Sequence, residues 1–229
     1  MAAGLEQDRI LRTFKDDIHK YASGPLQTAN LEKLLESAIR HVGKQIKYTT
    51  LLPDADIRRT KMSLELLEKA CLLAKVCSVN PSGLPLGAEA SDKVFKLIFF
   101  DIGLGQKWAG FSPTETLESD NLLALYEGRL AEQFVGQQLL AESASASEDR
   151  ALYCWIRAAK SSNAEVDYII VREGKIIAVE VKAGKAGSLR SFHVLKEKFP
   201  QIHQLICLQQ TSAIKTIQGI IFMPLVSIL

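Results

Sequence analysis

The feature that most constrains this chain is a pair of apolar segments, 166–171 and 176–182, that flank the dipeptide Glu173-Gly174. Val and Ile dominate both segments, and such residues are typical of β-strands. A short glycine-containing turn between two strands favours a β-hairpin. A slip of one residue would move every apolar side chain to the wrong face. The sequence therefore predicts a hairpin with one defined register.

This register places Asp167 directly opposite Glu180, and alternation along the strand gives Glu180 and Lys182 the same face. Two carboxylates about 5 Å apart repel by roughly 3 kcal/mol at an effective dielectric of 20. Lys182 offsets part of this repulsion, and a hard divalent cation would offset the rest. We therefore expect a Mg²⁺ (or Mn²⁺) site with Asp167 and Glu180 as ligands. The alternative is a solvated face on which both acids form ion pairs with Lys182 and Lys175.

The segments around the hairpin predict a mixed α/β (α+β) fold. Three amphipathic helices precede two extended segments, 74–79 and 94–100, which is the outline of a winged helix. After residue 120 the order is helix, three strands, helix, strand and strand, which predicts a mixed sheet flanked by helices. We therefore expect a helical, winged-helix-like region at 1–100 and a mixed-sheet domain at 101–229.

Composition and charge limit the partners and the compartment. The formal net charge is +2, so any attraction to nucleic acid has to come from local patches. The four cysteines contain no C-x-x-C pair and have no histidine pair near them, so a structural zinc site is not expected. Their mostly apolar neighbours are typical of reduced thiols in a cytoplasmic protein. No apolar run reaches membrane-spanning length, and no signal core follows Met1, so we expect no membrane association.

Two motifs in the hairpin resemble the D…E-x-K core of the restriction-endonuclease-like superfamily, also called PD-(D/E)XK. They are N-A-E-V-D-Y-I-I-V from Asn163 and I-I-A-V-E-V-K-A-G from Ile176. More specifically, most of the chain is similar to the C-terminal region of bacterial and archaeal AAA-type ATPases, a domain of unknown function related to those nucleases. Four further segments carry this resemblance: F-D-I-G-L from Phe100, G-R-L-A-E-Q-F-V from Gly128, K-A-G-K-A-G-S-L-R-S-F from Lys182, and M-P-L from Met223.

The resemblance implies Mg²⁺-dependent hydrolysis of phosphodiester bonds. By position in the motifs, Asp167 and Glu180 would be metal ligands, Lys182 the catalytic lysine, and Glu132 an additional acid on the preceding helix. Glu132 lies at the margin of the apolar stripe of that helix, whereas Glu127 falls inside the stripe, and Glu127 stays an alternative. The family's proline is replaced, since Val166 precedes Asp167.

A larger departure from the family is the absence of a G-x-x-x-x-G-K-[S/T] phosphate-binding loop. Gly184-Lys185 is followed by alanine and has no matching upstream glycine. We therefore expect no ATP site in this chain, which would be a fragment or a stand-alone relative of a longer ATPase. Two functions stay open: a metal-dependent endonuclease, and an inactive nuclease-fold module that binds DNA or a protein partner such as an ATPase domain.

Two groups of basic residues are candidates for contacts with nucleic acid. Arg58, Arg59 and Lys61 occupy the first turn of the third predicted helix, which a winged helix commonly presents to DNA. Lys185 and Arg190 follow the hairpin and would line a groove for the phosphate backbone. An ordinary solvated surface stays the alternative for both groups, because so few charges make a weak electrostatic footprint.

Overall fold

The computed structural model describes residues 2–22, 24–108, 120–145, 151–157, 164–183 and 189–227. The helices in these ranges are α1 (Ala2–Tyr21), α2 (Pro25–Arg40), α3 (Tyr48–Leu51), α4 (Ile57–Lys69), α5 (Ile102–Trp108), α6 (Asp120–Ser145) and α7 (Arg190–Lys198). The strands are β1 (Leu73–Ser78), β2 (Ser91–Phe99), β3 (Leu152–Ile156), β4 (Glu165–Arg172), β5 (Lys175–Lys182), β6 (Gln204–Gln209), β7 (Lys215–Ile217) and β8 (Ile220–Pro224). Helices followed by a mixed sheet confirm the predicted α/β class.

The chain divides into two compact units. One comprises residues 1–75 and 96–123, and the other comprises residues 76–95 and 124–229. The predicted domain boundary at residue 100 stays a prediction. Among the described residues, no helix combines the length and the apolar character that crossing a membrane requires.

Amphipathic helices form the core of the first unit. Their apolar faces bury Ile18, Leu34 and Leu64 completely, and removal of such side chains from water is the main stabilising contribution. The Asp56 side chain caps α4, because its Oδ1 accepts a hydrogen bond from the Arg59 amide at 2.8 Å. This cap satisfies an amide that the first turn of a helix otherwise leaves unpaired, and it defines where α4 begins.

The two extended segments of the predicted winged-helix ribbon are β1 and β2, and they continue into a larger sheet. The described strands form one sheet in the order β2-β1-β3-β4-β5-β6-β8-β7. β1 pairs in parallel with β3, and Val76 lies beside Leu152. Val76 and Phe95 are completely buried. Because these apolar side chains require cover, the ribbon extends the sheet and does not end as a free wing.

β4 and β5 form the predicted hairpin in the predicted register. Val171 pairs with Ile176, directly next to the turn. The turn residues Glu173 and Gly174 have φ angles of 49° and 71°, and two consecutive positive φ angles are typical of a type I′ turn. Gly174 adopts this conformation without a Cβ clash. Local turn chemistry therefore sets the register that brings the two ends of the hairpin together.

β4 carries one extra residue relative to β3. Tyr153 pairs with Ile169, but Trp155, two residues further along β3, pairs with Val166, three residues back along β4. Val166 and Ile169 consequently belong to the same buried cluster, although strict alternation would place them on opposite faces. Such a bulge bends a strand and re-aims its side chains. The extra residue falls in the stretch that contains Asp167.

Helix α7 contributes to the apolar cluster on one face of the hairpin. Phe192 and Leu195 of α7 are buried together with Ile176 and Ala178 of β5 and Cys207 of β6. This packing fixes β5 between its neighbours in the sheet. The end of β5 that carries the candidate site is therefore held by a rigid core.

Candidate metal centre

Asp167 lies at the open end of the hairpin, beyond the paired residues of the β4–β5 ladder. Its Oδ2 accepts a hydrogen bond from the Val181 amide at 2.9 Å. Val181 stands between Glu180 and Lys182 in β5. The Asp167 carboxylate is therefore held against the E-x-K segment, as the predicted register requires.

Glu180 and Lys182 form an ion pair on β5. The distance between Lys182 Nζ and Glu180 Oε1 is 2.5 Å, and the two side chains are 25% and 9% exposed, respectively. Removing either partner of an ion pair shielded in this way costs stability, because the remaining charge would be poorly solvated. One of the ion pairs that the sequence left open as an alternative is therefore present.

Asp167 belongs to a group of three acids. One carboxylate oxygen from each of Glu132, Glu165 and Asp167 lies within 4.8 Å of the other two. Glu132 is only 8% exposed, and Glu165 and Asp167 are partly buried. Within the part of the chain that the structure describes, Glu180 is not a member of this group. The expected ligand pair is thus divided: Asp167 is grouped with Glu132 and Glu165, and Glu180 is paired with Lys182.

Glu165 is the site residue that the sequence interpretation missed. It begins β4, two positions before Asp167, inside the same motif. Alternation along a strand was a usable signal, since it places residues two positions apart close together. The Glu165 amide also donates to Ser191 Oγ at 3.4 Å, which connects this end of β4 to the start of α7.

Of the two helix acids that the sequence left open, Glu132 lies in the acidic group. Its backbone carbonyl accepts a hydrogen bond from the Tyr168 hydroxyl at 2.8 Å, so α6 is attached to β4 at this position. The side chain of Glu127 lies outside the described residues. The position of Glu132 at the edge of the apolar stripe is consistent with its burial, and its carboxylate meets the other acids.

The acids also change the pKa of two neighbouring groups. Burial alone would lower the pKa of Lys182, but the charge of Glu180, the hydrogen bond to Glu180 and the charge of Asp167 outweigh it, and the pKa is raised above 10.5. Burial raises the pKa of the Cys207 thiol to about 11, and the charge of Glu180 adds to this effect. Both shifts follow from a concentration of negative charge in a poorly solvated place.

The basic residues expected to contact nucleic acid lie in different parts of the chain. Arg58 and Arg59 are exposed on the first turn of α4, and Arg59 Nε lies 3.2 Å from Asp56 Oδ2. Lys61 Nζ lies 4.9 Å from the centroid of the Tyr48 ring.

Of the two basic residues expected after the hairpin, Arg190 lies within the described residues. Arg190 is exposed and is the first residue of α7. Lys185 lies outside the described residues. Arg190 precedes Ser191, whose hydroxyl oxygen accepts a hydrogen bond from the Glu165 amide at the start of β4.

The donor set of the acidic group fits a hard divalent cation. Carboxylate oxygens are the ligands that Mg²⁺ and Mn²⁺ prefer. The oxygens lie within 4.8 Å of one another, and at about 5 Å and an effective dielectric of 20 a pair of ionised carboxylates shielded from solvent repels by roughly 3 kcal/mol. A cation bound between the oxygens of Glu132, Glu165 and Asp167 would replace this repulsion by attraction.

Comparisons with known proteins assign the two parts of the chain separately. No curated protein and no solved structure shows significant similarity to this chain. Residues 127–228, which contain the four acids and Lys182, match a family described as "Domain of unknown function (DUF4143)". Residues 3–115 match a family described as "Domain of unknown function (DUF8612)". The chain therefore carries, one after the other, regions similar to two families whose descriptions name no activity.

Proposed function

We propose that the second unit is a Mg²⁺-dependent nuclease-like domain that hydrolyses phosphodiester bonds. The observation that carries the proposal is the group of three carboxylates within 4.8 Å of one another at Asp167, held against the E-x-K segment of β5 by a hydrogen bond of 2.9 Å. The resemblance of the two hairpin motifs to the PD-(D/E)XK superfamily supports the same chemistry. The relation to AAA-type ATPases, and binding to DNA, belong to this proposal.

Each residue of the site has a distinct part in the proposed chemistry. Asp167, Glu132 and Glu165 would hold the cation, with Glu180 as a further ligand once it separates from Lys182. When bound, the cation would polarise a phosphodiester and lower the pKa of its coordinated water. Lys182 would place its positive Nζ next to the scissile phosphate and stabilise the negative charge that develops there. Asp167 is shared between the acidic group and the E-x-K segment, so it is the residue on which both depend.

Calorimetric titration tests the metal site. Wild-type protein should bind Mg²⁺ or Mn²⁺, and Asp167→Ala should abolish binding because it removes the shared carboxylate. Glu180→Ala should weaken binding less than Asp167→Ala, since Glu180 lies outside the group of three acids. Glu197→Ala, at an exposed position of α7, is the matched control and should bind as the wild type does. Wild-type protein that binds neither ion would overturn the proposal.

Cleavage of plasmid DNA tests the chemistry separately from metal binding. Lys182→Ala should abolish cleavage while metal binding persists, because the lysine contributes charge and not a metal ligand. Lys175→Ala, at the exposed opposite end of β5, should cleave like the wild type. A Lys182→Ala variant that cleaves normally would remove Lys182 from the mechanism.

One observation favours a second candidate, an inactive nuclease-fold module that binds DNA or a protein partner such as an ATPase domain. Glu180 is engaged by Lys182 at 2.5 Å, which occupies both residues of the E-x-K motif with each other. A module of this kind would need no Mg²⁺ to bind DNA and would cleave none. Metal-dependent nicking by the wild type, abolished by Asp167→Ala, would exclude it.

A further inference from the structure

Tyr168 joins the two segments that carry the acidic group. Its side chain is completely buried, and its hydroxyl donates a hydrogen bond to the backbone carbonyl of Glu132 at 2.8 Å. Tyr168 follows Asp167 directly, and the carbonyl belongs to the residue that supplies the helix acid. One hydrogen bond thus connects the backbone of α6 at Glu132 to the backbone of β4 next to Asp167.

The carbonyl of Glu132 accepts this bond without loss to the helix. A carbonyl oxygen has two lone pairs, and the internal hydrogen bond of a helix uses one of them. Apolar packing brings α6 to the sheet but is non-directional. A hydrogen bond has a preferred length and angle. The Tyr168 hydroxyl therefore fixes the position and rotation of α6 at the turn from which the Glu132 side chain projects.

Neighbouring residues of β4 serve two elements next to the β4 bulge. The register shift between β3 and β4 falls in the stretch between Val166 and Ile169. Within this stretch Asp167 contacts the Val181 amide of β5, and Tyr168 contacts α6. Because neighbouring side chains of a strand point to opposite faces, Asp167 meets the E-x-K strand and Tyr168 meets the helix that carries Glu132.

We propose that Tyr168 is a positioning residue that holds the Glu132 carboxylate within coordination distance of Asp167 and Glu165. This inference rests on the proposed metal site and adds a residue outside the D…E-x-K motif. Ligands that converge on one cation have to be held closely, and the groups that orient them tune metal affinity. Tyr168 acts on the metal only through Glu132, which makes its effect separable from a general effect on folding.

A double-mutant cycle in Mn²⁺ affinity tests the inference. Tyr168→Phe removes only the hydroxyl and should weaken Mn²⁺ binding roughly 2- to 10-fold, the range expected for one lost hydrogen bond. Adding Tyr168→Phe to Glu132→Ala should produce little further loss, because the ligand that Tyr168 positions is already gone. Tyr153→Phe, which removes a tyrosine hydroxyl elsewhere in the same sheet, is the matched control and should bind Mn²⁺ like the wild type. Urea unfolding verifies that each variant is folded under the titration conditions.

The outcomes separate this inference from the proposed function. Equal Mn²⁺ affinity of wild type and Tyr168→Phe would overturn the positioning role and leave the metal site standing. An equal loss on Tyr168→Phe with and without Glu132 would also overturn it, since the effect would then not pass through Glu132. Wild-type protein that binds no Mn²⁺ would overturn the metal site and the inference together.

Discussion

The Asp167 carboxylate accepts a hydrogen bond from the Val181 amide at 2.9 Å, so a side chain of one strand continues the ladder of the hairpin where the backbone pairs end. The same carboxylate lies within 4.8 Å of the oxygens of Glu132 and Glu165. Asp167 therefore has a structural task and an electrostatic task, and these can be separated by substitution.

Asp167→Asn should separate the two tasks. Asparagine keeps an oxygen that accepts from the Val181 amide but carries no charge, so the metal-free variant should be at least as stable as the wild type. Its stabilisation by Mg²⁺ should be lost. Asp167→Ala should be about 1–3 kcal/mol less stable, because the Val181 amide loses its partner. Urea unfolding with and without Mg²⁺ measures both effects, and equal stability of the two variants would contradict the role assigned to the hydrogen bond.

Glu165→Gln should make the metal-free protein more stable, and it should reduce the stabilisation that Mg²⁺ adds. Because Glu165 is partly exposed, solvent screening reduces the repulsion well below the value for shielded pairs, and removal of its charge should relieve about 1 kcal/mol. In the wild type, Mg²⁺ at a hundred times its dissociation constant should add about 2.7 kcal/mol, and the variant should gain clearly less. Thermal unfolding across a Mg²⁺ series checks this expectation. Glu197→Gln should change neither value, and an identical Mg²⁺ response in Glu165→Gln would remove Glu165 from the site.

The ion pair of Lys182 should make stability depend on alkaline pH. Because its pKa is raised above 10.5 in the folded state, its contribution is complete below this value and is lost as pH rises through the folded-state pKa. Lys182→Met should cost about 2 kcal/mol at neutral pH, since Glu180 stays buried without its cation. This difference should shrink above pH 10.5 in urea unfolding. Lys175→Met should show a small difference at every pH, and a constant difference for Lys182→Met would refute the linkage.

Cys207 and Cys71 should differ in reactivity. Cys207 is 1% exposed, and its pKa is raised to about 11. At neutral pH a reagent therefore cannot reach its sulfur, and almost none of the sulfur is in the reactive thiolate form. Cys71 is exposed and should react with iodoacetamide first. Peptide mass spectrometry of native and urea-unfolded protein measures the order of labelling. Rapid labelling of Cys207 in the native protein would indicate that β6 opens locally.

Arg58→Ala should weaken the proposed binding to duplex DNA more than Arg59→Ala. Arg58 is exposed, whereas Arg59 already lies 3.2 Å from Asp56. Each lost phosphate contact should reduce the slope of log affinity against log salt by about 1. Fluorescence anisotropy over a salt series checks this, with Lys33→Ala, at an exposed position of α2, as control. An unchanged salt slope in Arg58→Ala would place the interface elsewhere.

Local sequence information determined the hairpin. The register of β4 against β5 follows from alternating apolar residues and a glycine-containing turn, and both are properties of neighbours in the chain. The same information placed Asp167 beside the E-x-K segment and put Glu180 and Lys182 on one face. The overall α/β class also followed from the order of elements, because helices and strands have different periods of apolar residues.

Tertiary packing decided which acids meet. Whether Glu132 reaches Asp167 depends on how α6 docks on the sheet, and the bulge between Val166 and Ile169 depends on pairing with β3. Both are contacts between residues distant in sequence, and apolar periodicity carries no information about the relative position of two elements. The sequence alone therefore determined the strands and the chemistry of their side chains. Only the folded sheet and helix decided that Glu165 joins the acidic group and that Glu180 pairs with Lys182.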